Sequence, residues 1–233
     1  FTKAAVFMSH GGGIAYNTVM VGSLQDARYS MVLETKSNGA DQGFVNENVF
    51  IGGRYGNSSN SIARGDSAGV LITWDKVDSY RGQNSNLWVK PCFELGAGTS
   101  SPAAKRYPFY FDSCGNLNRA IHMRSEGNSE IAYMENFDNN ASQVSGNVFE
   151  LGYADSNDMK LVTVGRCPGN VVKSSYEIFR TPVTAHSGNL ADLVSTYGPA
   201  NSAYIRGPFH WVTGTTTPIF AKAVRAWSPN CPI

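Results

Sequence analysis

Six asparagines, each standing immediately before a short apolar run, constrain this chain more than any other feature. Asn17 precedes Thr18-Val19-Met20-Val21, Asn48 precedes Val49-Phe50-Ile51-Gly52-Gly53-Arg54, and Asn86 precedes Leu87-Trp88-Val89-Lys90-Pro91-Cys92-Phe93-Glu94. Asn118 precedes Arg119-Ala120-Ile121-His122-Met123-Arg124-Ser125-Glu126, Asn147 precedes Val148-Phe149-Glu150-Leu151-Gly152-Tyr153, and Asn170, more weakly, precedes Val171-Val172. The spacings are 31, 38, 32, 29 and 23 residues. Self-similarity at such a period marks a stacked repeat rather than a sandwich or a helix-covered sheet. The runs are strand-like, and the chain between them is rich in Gly, Ser, Asn and Asp, which favours turns. The expected fold is all-β, a parallel β-helix in which each turn of the coil is one repeat and unequal loops account for the unequal spacing.

Aligning the repeats on the opening Asn gives columns. Two residues on stand Val19, Phe50, Trp88, Ala120 and Phe149; six residues on, Ser23, Arg54, Cys92, Arg124 and Tyr153; eight residues on, Gln25, Gly56, Glu94, Glu126 and Asp155. Equivalent positions in adjacent parallel strands lie about 4.8 Å apart, so Glu94 and Glu126 are expected as neighbours with Asp155 next. Glycosidic cleavage uses two carboxyl groups about 5–5.5 Å apart for retention or about 6.5–9.5 Å for inversion, separations that adjacent and alternate strands supply. Glu94, Glu126 and Asp155 are therefore the candidate catalytic residues. Arg54 and Arg124 flank them as substrate-binding candidates, with Trp74 and Trp88 as rings for a sugar face, and Tyr80, Tyr107 and Tyr110 as further ones. The plainer reading is a solvated ladder of Glu94 and Glu126 paired with Arg54 or Arg124.

Composition narrows the function. Charged residues are only 16% and the net charge is +1 without a basic block, so a nucleic-acid footprint is not expected. No apolar run approaches the roughly 18–20 residues that span a bilayer, so no membrane insertion is expected. Phe1 in place of Met points to a processed or partial chain, with the segment before it unknown. His10, His122, His186 and His210 are scattered, and no Cys-x-x-Cys pair occurs, so neither metal nor cofactor is expected. Cys92, Cys114 and Cys167 read as buried thiols, with Cys114 and Cys167 at equivalent places before a ladder Asn; a disulfide to Cys231 is the alternative.

Two strings suggest a serine esterase: His10-Gly11-Gly12-Gly13 resembles the oxyanion loop of the hormone-sensitive-lipase branch, and Gly65-Asp66-Ser67-Ala68-Gly69 its nucleophile elbow. An elbow needs a strand before Ser67 and a helix after it. The flanks here read as loop and then β-strand, so Ser67 with the His10–Gly13 loop is kept only as a remote alternative. Residues 1–180 are expected to carry the rungs and residues 181–233, broken by Pro199, Pro208 and Pro218, to form a β-rich C-terminal cap that closes the coil and contributes to oligomerisation.

Asn48-Val-Phe-Ile-Gly-Gly-Arg54-Tyr55, Trp88-Val-Lys-Pro-Cys-Phe-Glu94 and Cys114-Gly-Asn-Leu-Asn118 leading to Met123-Arg-Ser-Glu-Gly127 resemble rungs of bacteriophage tailspikes. The resemblance covers residues 45–160. It implies a right-handed, pectate-lyase-like parallel β-helix, a homotrimer in the phage tail, and binding, often with depolymerisation by a hydrolase or lyase, of bacterial capsule or O-antigen polysaccharide. A non-catalytic receptor-binding or structural spike module is the other expectation. The family's catalytic carboxylates occupy no fixed motif, so none is carried over.

Overall fold

The computed structural model describes residues 3–37, 43–56, 67–75, 82–95, 106–126, 130–136, 144–154, 160–165, 167, 170–174 and 204–206. Among these every regular element is a β-strand, sixteen in all, and every described pairing is parallel. One sheet has six strands: β1 (Lys3–His10), β4 (Tyr29–Lys36), β7 (Ser67–Trp74), β10 (Arg106–Asp112), β12 (Glu130–Asn136) and β14 (Lys160–Gly165). The second holds β3 (Thr18–Leu24), β6 (Val49–Gly56), β8 (Leu87–Val89), β9 (Cys92–Glu94), β11 (Arg119–Glu126), β13 (Val148–Ala154), β15 (Val171–Ser174) and β16 (Tyr204–Arg206). A short third pair joins β2 (Gly13–Ala15) to β5 (Phe44–Asn46). The chain alternates between the two large sheets, and within each the spatial order is the sequence order.

The asparagines explain why the rungs stack in this register. The amide N–H of Asn17, Asn48, Asn86, Asn118 and Asn147 each donates to the side-chain oxygen of the next asparagine, at 3.2, 3.1, 3.0, 2.9 and 3.0 Å. Side-chain Nδ2 groups of Asn17, Asn48, Asn86 and Asn147 donate to that same oxygen. Nδ2 also reaches back to the preceding rung, to the carbonyl three residues before its asparagine: Asn86 donates to Val45 O, Asn118 to Gln83 O and Asn147 to Gly115 O, at 2.9, 3.0 and 3.0 Å. From Asn48 to Asn170 these side chains are buried. A buried amide is tolerated only when its groups are satisfied, and here each rung satisfies its neighbour.

The residue before each of the first five asparagines has a left-handed backbone: Tyr16, Glu47, Ser85, Leu117 and Gly146 have φ of 58°, 55°, 56°, 57° and 66°. That conformation turns the chain into the second sheet, and all but Gly146 adopt it at some steric cost. The ladder geometry holds them there.

The core lies between the two sheets. Phe50 stacks on Trp88 with ring centroids 5.2 Å apart, Tyr55 stacks on Phe93 at 5.0 Å, and Phe109 meets Trp88 edge-on at 5.2 Å. The expected column Val19–Phe50–Trp88–Ala120–Phe149 is present in the strand register. Gly69 makes room for the Phe93 ring, because a Cβ there would stand 2.4 Å from it.

One expectation needed adjustment. The run after Asn86 is two strands rather than one: Lys90 is left-handed (φ 54°) and Pro91 has no N–H for a ladder, so the chain bends between β8 and β9. The same offset is left-handed at Gly52 and His122, whereas β13 places buried Leu151 opposite Met123, with register shifts on both sides. The proposed cap contributes β16, which pairs parallel with β15 and so extends the second sheet. The rest of residues 181–233 lies outside the described residues.

Candidate functional site

The six- and eight-residue columns form one outward-facing patch at the C-terminal ends of β6, β9, β11 and β13. Arg54 pairs in register with Cys92, Cys92 with Arg124, and Arg124 with Tyr153. Gly56 pairs with Glu94, and Glu94 with Glu126. The carboxylates therefore stand on adjacent strands, as the column alignment requires. Asp155 lies outside the described residues.

Each carboxylate is held by a guanidinium. Arg54 Nε donates to Glu94 Oε2 at 2.7 Å and Arg54 Nη2 donates to the same oxygen. Arg124 Nε donates to Glu126 Oε1 at 2.5 Å, again seconded by Nη2. The Arg124 guanidinium also lies 5.2 Å from the centroid of the Tyr153 ring, which is 48% exposed. Arg54 and Arg124 side chains are both 55% exposed, against 29% and 26% for Glu94 and Glu126. The patch is a wet face of fixed donors and acceptors, the arrangement of the plainer sequence reading.

Hydrogen bonds from Arg54 hold the Glu94 carboxyl below its ordinary value, with burial opposing them. A group whose folded pKa is depressed adds stability above its unfolded pKa and loses it as pH falls through the folded value. The Arg54–Glu94 contribution is therefore present at neutral pH and lost below the ordinary carboxyl value of 4.5. Melting temperatures measured from pH 7 to pH 3 should fall less steeply in Arg54→Ala than in the parent chain. Parallel curves would show that the pair adds nothing to stability.

Cys92 sits within this patch, half-buried rather than buried, its Sγ 3.6 Å from Glu94 Oε1. Burial first, then the negative charge of Glu94, pushes its thiol to about 11. It is a protonated thiol at neutral pH and a poor nucleophile. Cys114 and Cys167 face the interior as thiols, and burial pushes Cys167 up to about 12. Cys231 lies outside the described residues.

The aromatic platform expected from sequence is not on this face. Trp88 is fully buried between Phe50 and Phe109 and offers no surface to a sugar. Trp74 belongs to the other sheet, half-buried against the core. Tyr107 is buried, and Tyr80 lies outside the described residues. The exposed ring beside the arginines is Tyr153, which the six-residue column contained but sequence reasoning did not single out.

A second polar cluster on the six-stranded sheet was missed. Asp112 pairs in register with Glu135 and Tyr110 with Tyr133. The Tyr110 hydroxyl donates to Glu135, and Thr73 Oγ1 donates to Asp112 at 2.8 Å. Burial, then the Glu135 carboxylate, pushes the Tyr110 phenol well above its ordinary value. The repeated Tyr-x-acid string, Tyr110-Phe-Asp112 and Tyr133-Met-Glu135, was the available signal.

The esterase alternative requires correction. Ser67 is 1% exposed and opens a β-strand, with no helix after it. His10 ends β1 while Ser67 begins β7 in the same parallel sheet, which separates them by about 25 Å along the strands. Of the other histidines, His122 is exposed, 3.8 Å from Glu150. Among the described residues no group of three or more His, Cys, Asp or Glu is placed to hold a metal ion, and no helix is long and apolar enough to cross a membrane. No protein-family model, curated protein or solved structure matches this chain.

Proposed function

We propose that this chain is a right-handed parallel β-helix of the bacteriophage tailspike type, a receptor-binding module that holds bacterial surface polysaccharide against the outward face of β6, β9, β11 and β13. Two features support the fold. The chain alternates between sheets with spatial order equal to sequence order, and connections between parallel strands are overwhelmingly right-handed. The observation that carries the function is the Arg54–Glu94 and Arg124–Glu126 pairs beside exposed Tyr153. Fixed guanidinium and carboxylate groups offer donors and acceptors to sugar hydroxyls or acidic substituents, and the Tyr153 ring offers a face to a pyranose. Binding is favoured over cleavage because Arg54 holds the Glu94 carboxyl below its ordinary value, whereas a general acid needs a raised one, and Glu126 is bound to Arg124. The module acts as a homotrimer in the virion tail, outside the bacterial cell.

The adjacency of Glu94 and Glu126 supports a second reading, a depolymerase using these two carboxylates. A panel of capsular and O-antigen polysaccharides separates the readings when bound amount and chain length are both measured. The binding reading expects retention of at least one polysaccharide without shortening, and a loss of about tenfold or more in Arg54→Ala/Arg124→Ala, as for lost charge-assisted hydrogen bonds. Shortening that disappears in Glu126→Gln, with binding kept, would establish the depolymerase instead. Binding to none of the panel, or undiminished binding by the double variant, would remove the patch as the site.

A further inference from the structure

Charge is balanced within the patch at the C-terminal ends of β6, β9 and β11. Two guanidinium groups, Arg54 and Arg124, meet two carboxylates, Glu94 and Glu126, and each pair is closed by two hydrogen bonds to a single carboxylate oxygen. Cys92 stands in register with both arginines and, as a protonated thiol at neutral pH, adds no charge. The Arg124–Glu126 pair still has capacity to bind. Its Nε and Nη2 both go to Oε1, and among the described residues Arg124 Nη1 and Glu126 Oε2 have no hydrogen-bond partner. The pair therefore carries a donor and an acceptor for a ligand, next to the exposed Tyr153 ring.

We propose that the ligand of this patch is an uncharged saccharide recognised through its hydroxyl groups, not a polymer bearing carboxylate or phosphate groups; this rests on the patch being the binding site. A sugar hydroxyl is donor and acceptor at once, so one hydroxyl, or two on neighbouring carbons, can accept from Arg124 Nη1 and donate to Glu126 Oε2. An ionised acid only accepts. It can meet Nη1, but it leaves Oε2 unused and brings a third negative charge beside Glu94 and Glu126, which are in register on adjacent strands. Both guanidinium groups already hold a carboxylate. An acidic ligand therefore gains less attraction here than from an unpaired arginine, while the repulsion from two carboxylates remains. Like charges placed this way exclude wrong partners more than they add affinity for the right one.

The test uses the full 233-residue chain with neutral O-antigen polysaccharides, acidic capsular polysaccharides, and the acidic ones after chemical reduction of their carboxyl groups to primary alcohols. The retained polymers are expected to be neutral or carboxyl-reduced. Their affinity is expected to stay within about twofold between about 0.05 and 0.5 M sodium chloride, because an uncharged ligand offers salt nothing to screen. Glu126→Gln keeps the side-chain shape and removes the charge. It is expected to weaken binding about threefold or more, since hydrogen bonds to an ionised group are about twice as strong as neutral ones. With an acidic ligand the same variant would tighten binding by removing a like charge. Retention of the unreduced acidic polymers, weakened by salt and lost in Arg54→Ala/Arg124→Ala, overturns the proposal and leaves the patch as the site. Unchanged or tighter binding in Glu126→Gln does the same. Retention of no polymer, or retention undiminished in the double variant, removes the patch as the site and the proposal with it.

Discussion

Asn118→Ala is expected to lower the unfolding free energy by about 3–5 kcal/mol, the sum of several orphaned buried polar groups at about 1–3 kcal/mol each. Asn118 Oδ1 accepts from the Asn86 amide at 3.0 Å and from Asn86 Nδ2 at 3.1 Å, while Asn118 Nδ2 donates to Gln83 O at 3.0 Å. Alanine strands all three partners, and Asn86 is fully buried. Aspartate does no better, since it keeps the acceptor but cannot donate to Gln83 O and brings a charge into the interior. Asn17→Ala is expected to cost well under half as much, because the exposed end of the ladder can turn to water. Urea unfolding of the two alanine variants measures the contrast.

Trp88→Ala is expected to cost about 3–5 kcal/mol, the range for truncating a large buried aromatic. The ring is fully buried, stacked on Phe50 and met edge-on by Phe109, so its removal leaves a cavity bounded by both sheets. Under the proposed function, polysaccharide affinity of the folded fraction should be unchanged, because the ring does not reach the Arg54–Glu94 face. Tyr153→Ala should do the reverse, weakening binding while leaving stability within about 0.5 kcal/mol, as for a surface substitution. A Trp88→Ala protein that folds normally but loses sugar binding would return Trp88 to the site.

The asparagine register was legible because each ladder residue must be Asn. A short uncharged amide both accepts from the rung before and donates to a carbonyl of that rung, whereas Gln carries the same groups one methylene further out, so the pattern survives spacings from 23 to 38 residues. The columns followed from it, and Glu94 beside Glu126 with Arg54 and Arg124 flanking was read correctly as a neighbourhood. What was not legible was the state of the pairs. Column alignment gives rows but not side-chain rotamers, so it could not say that each Glu is committed to an Arg. Nor could the alignment tell which columns face inward. Trp88 and Cys92 both belong to aligned columns, yet one is in the core and the other half-exposed, because the bend at Lys90 and Pro91 changes which residues point out. The six-stranded sheet had no equivalent marker. Its strands carry Met31, Leu33, Val70, Ile72, Phe109 and Phe111 inward, but no residue type recurs there for hydrogen-bonding reasons, and Asp112 with Glu135 went unnoticed.

Residue-resolved amide hydrogen exchange tests the ladder most directly. The amides of Asn48, Asn86, Asn118 and Asn147 are expected to exchange among the slowest in the protein, and that of Asn17, at the exposed end, much faster. Asn118→Ala is expected to speed exchange at Asn86 before any change at Asn17. An Asn17 amide as slow as that of Asn86, or an Asn86 amide indifferent to Asn118→Ala, would contradict the ladder.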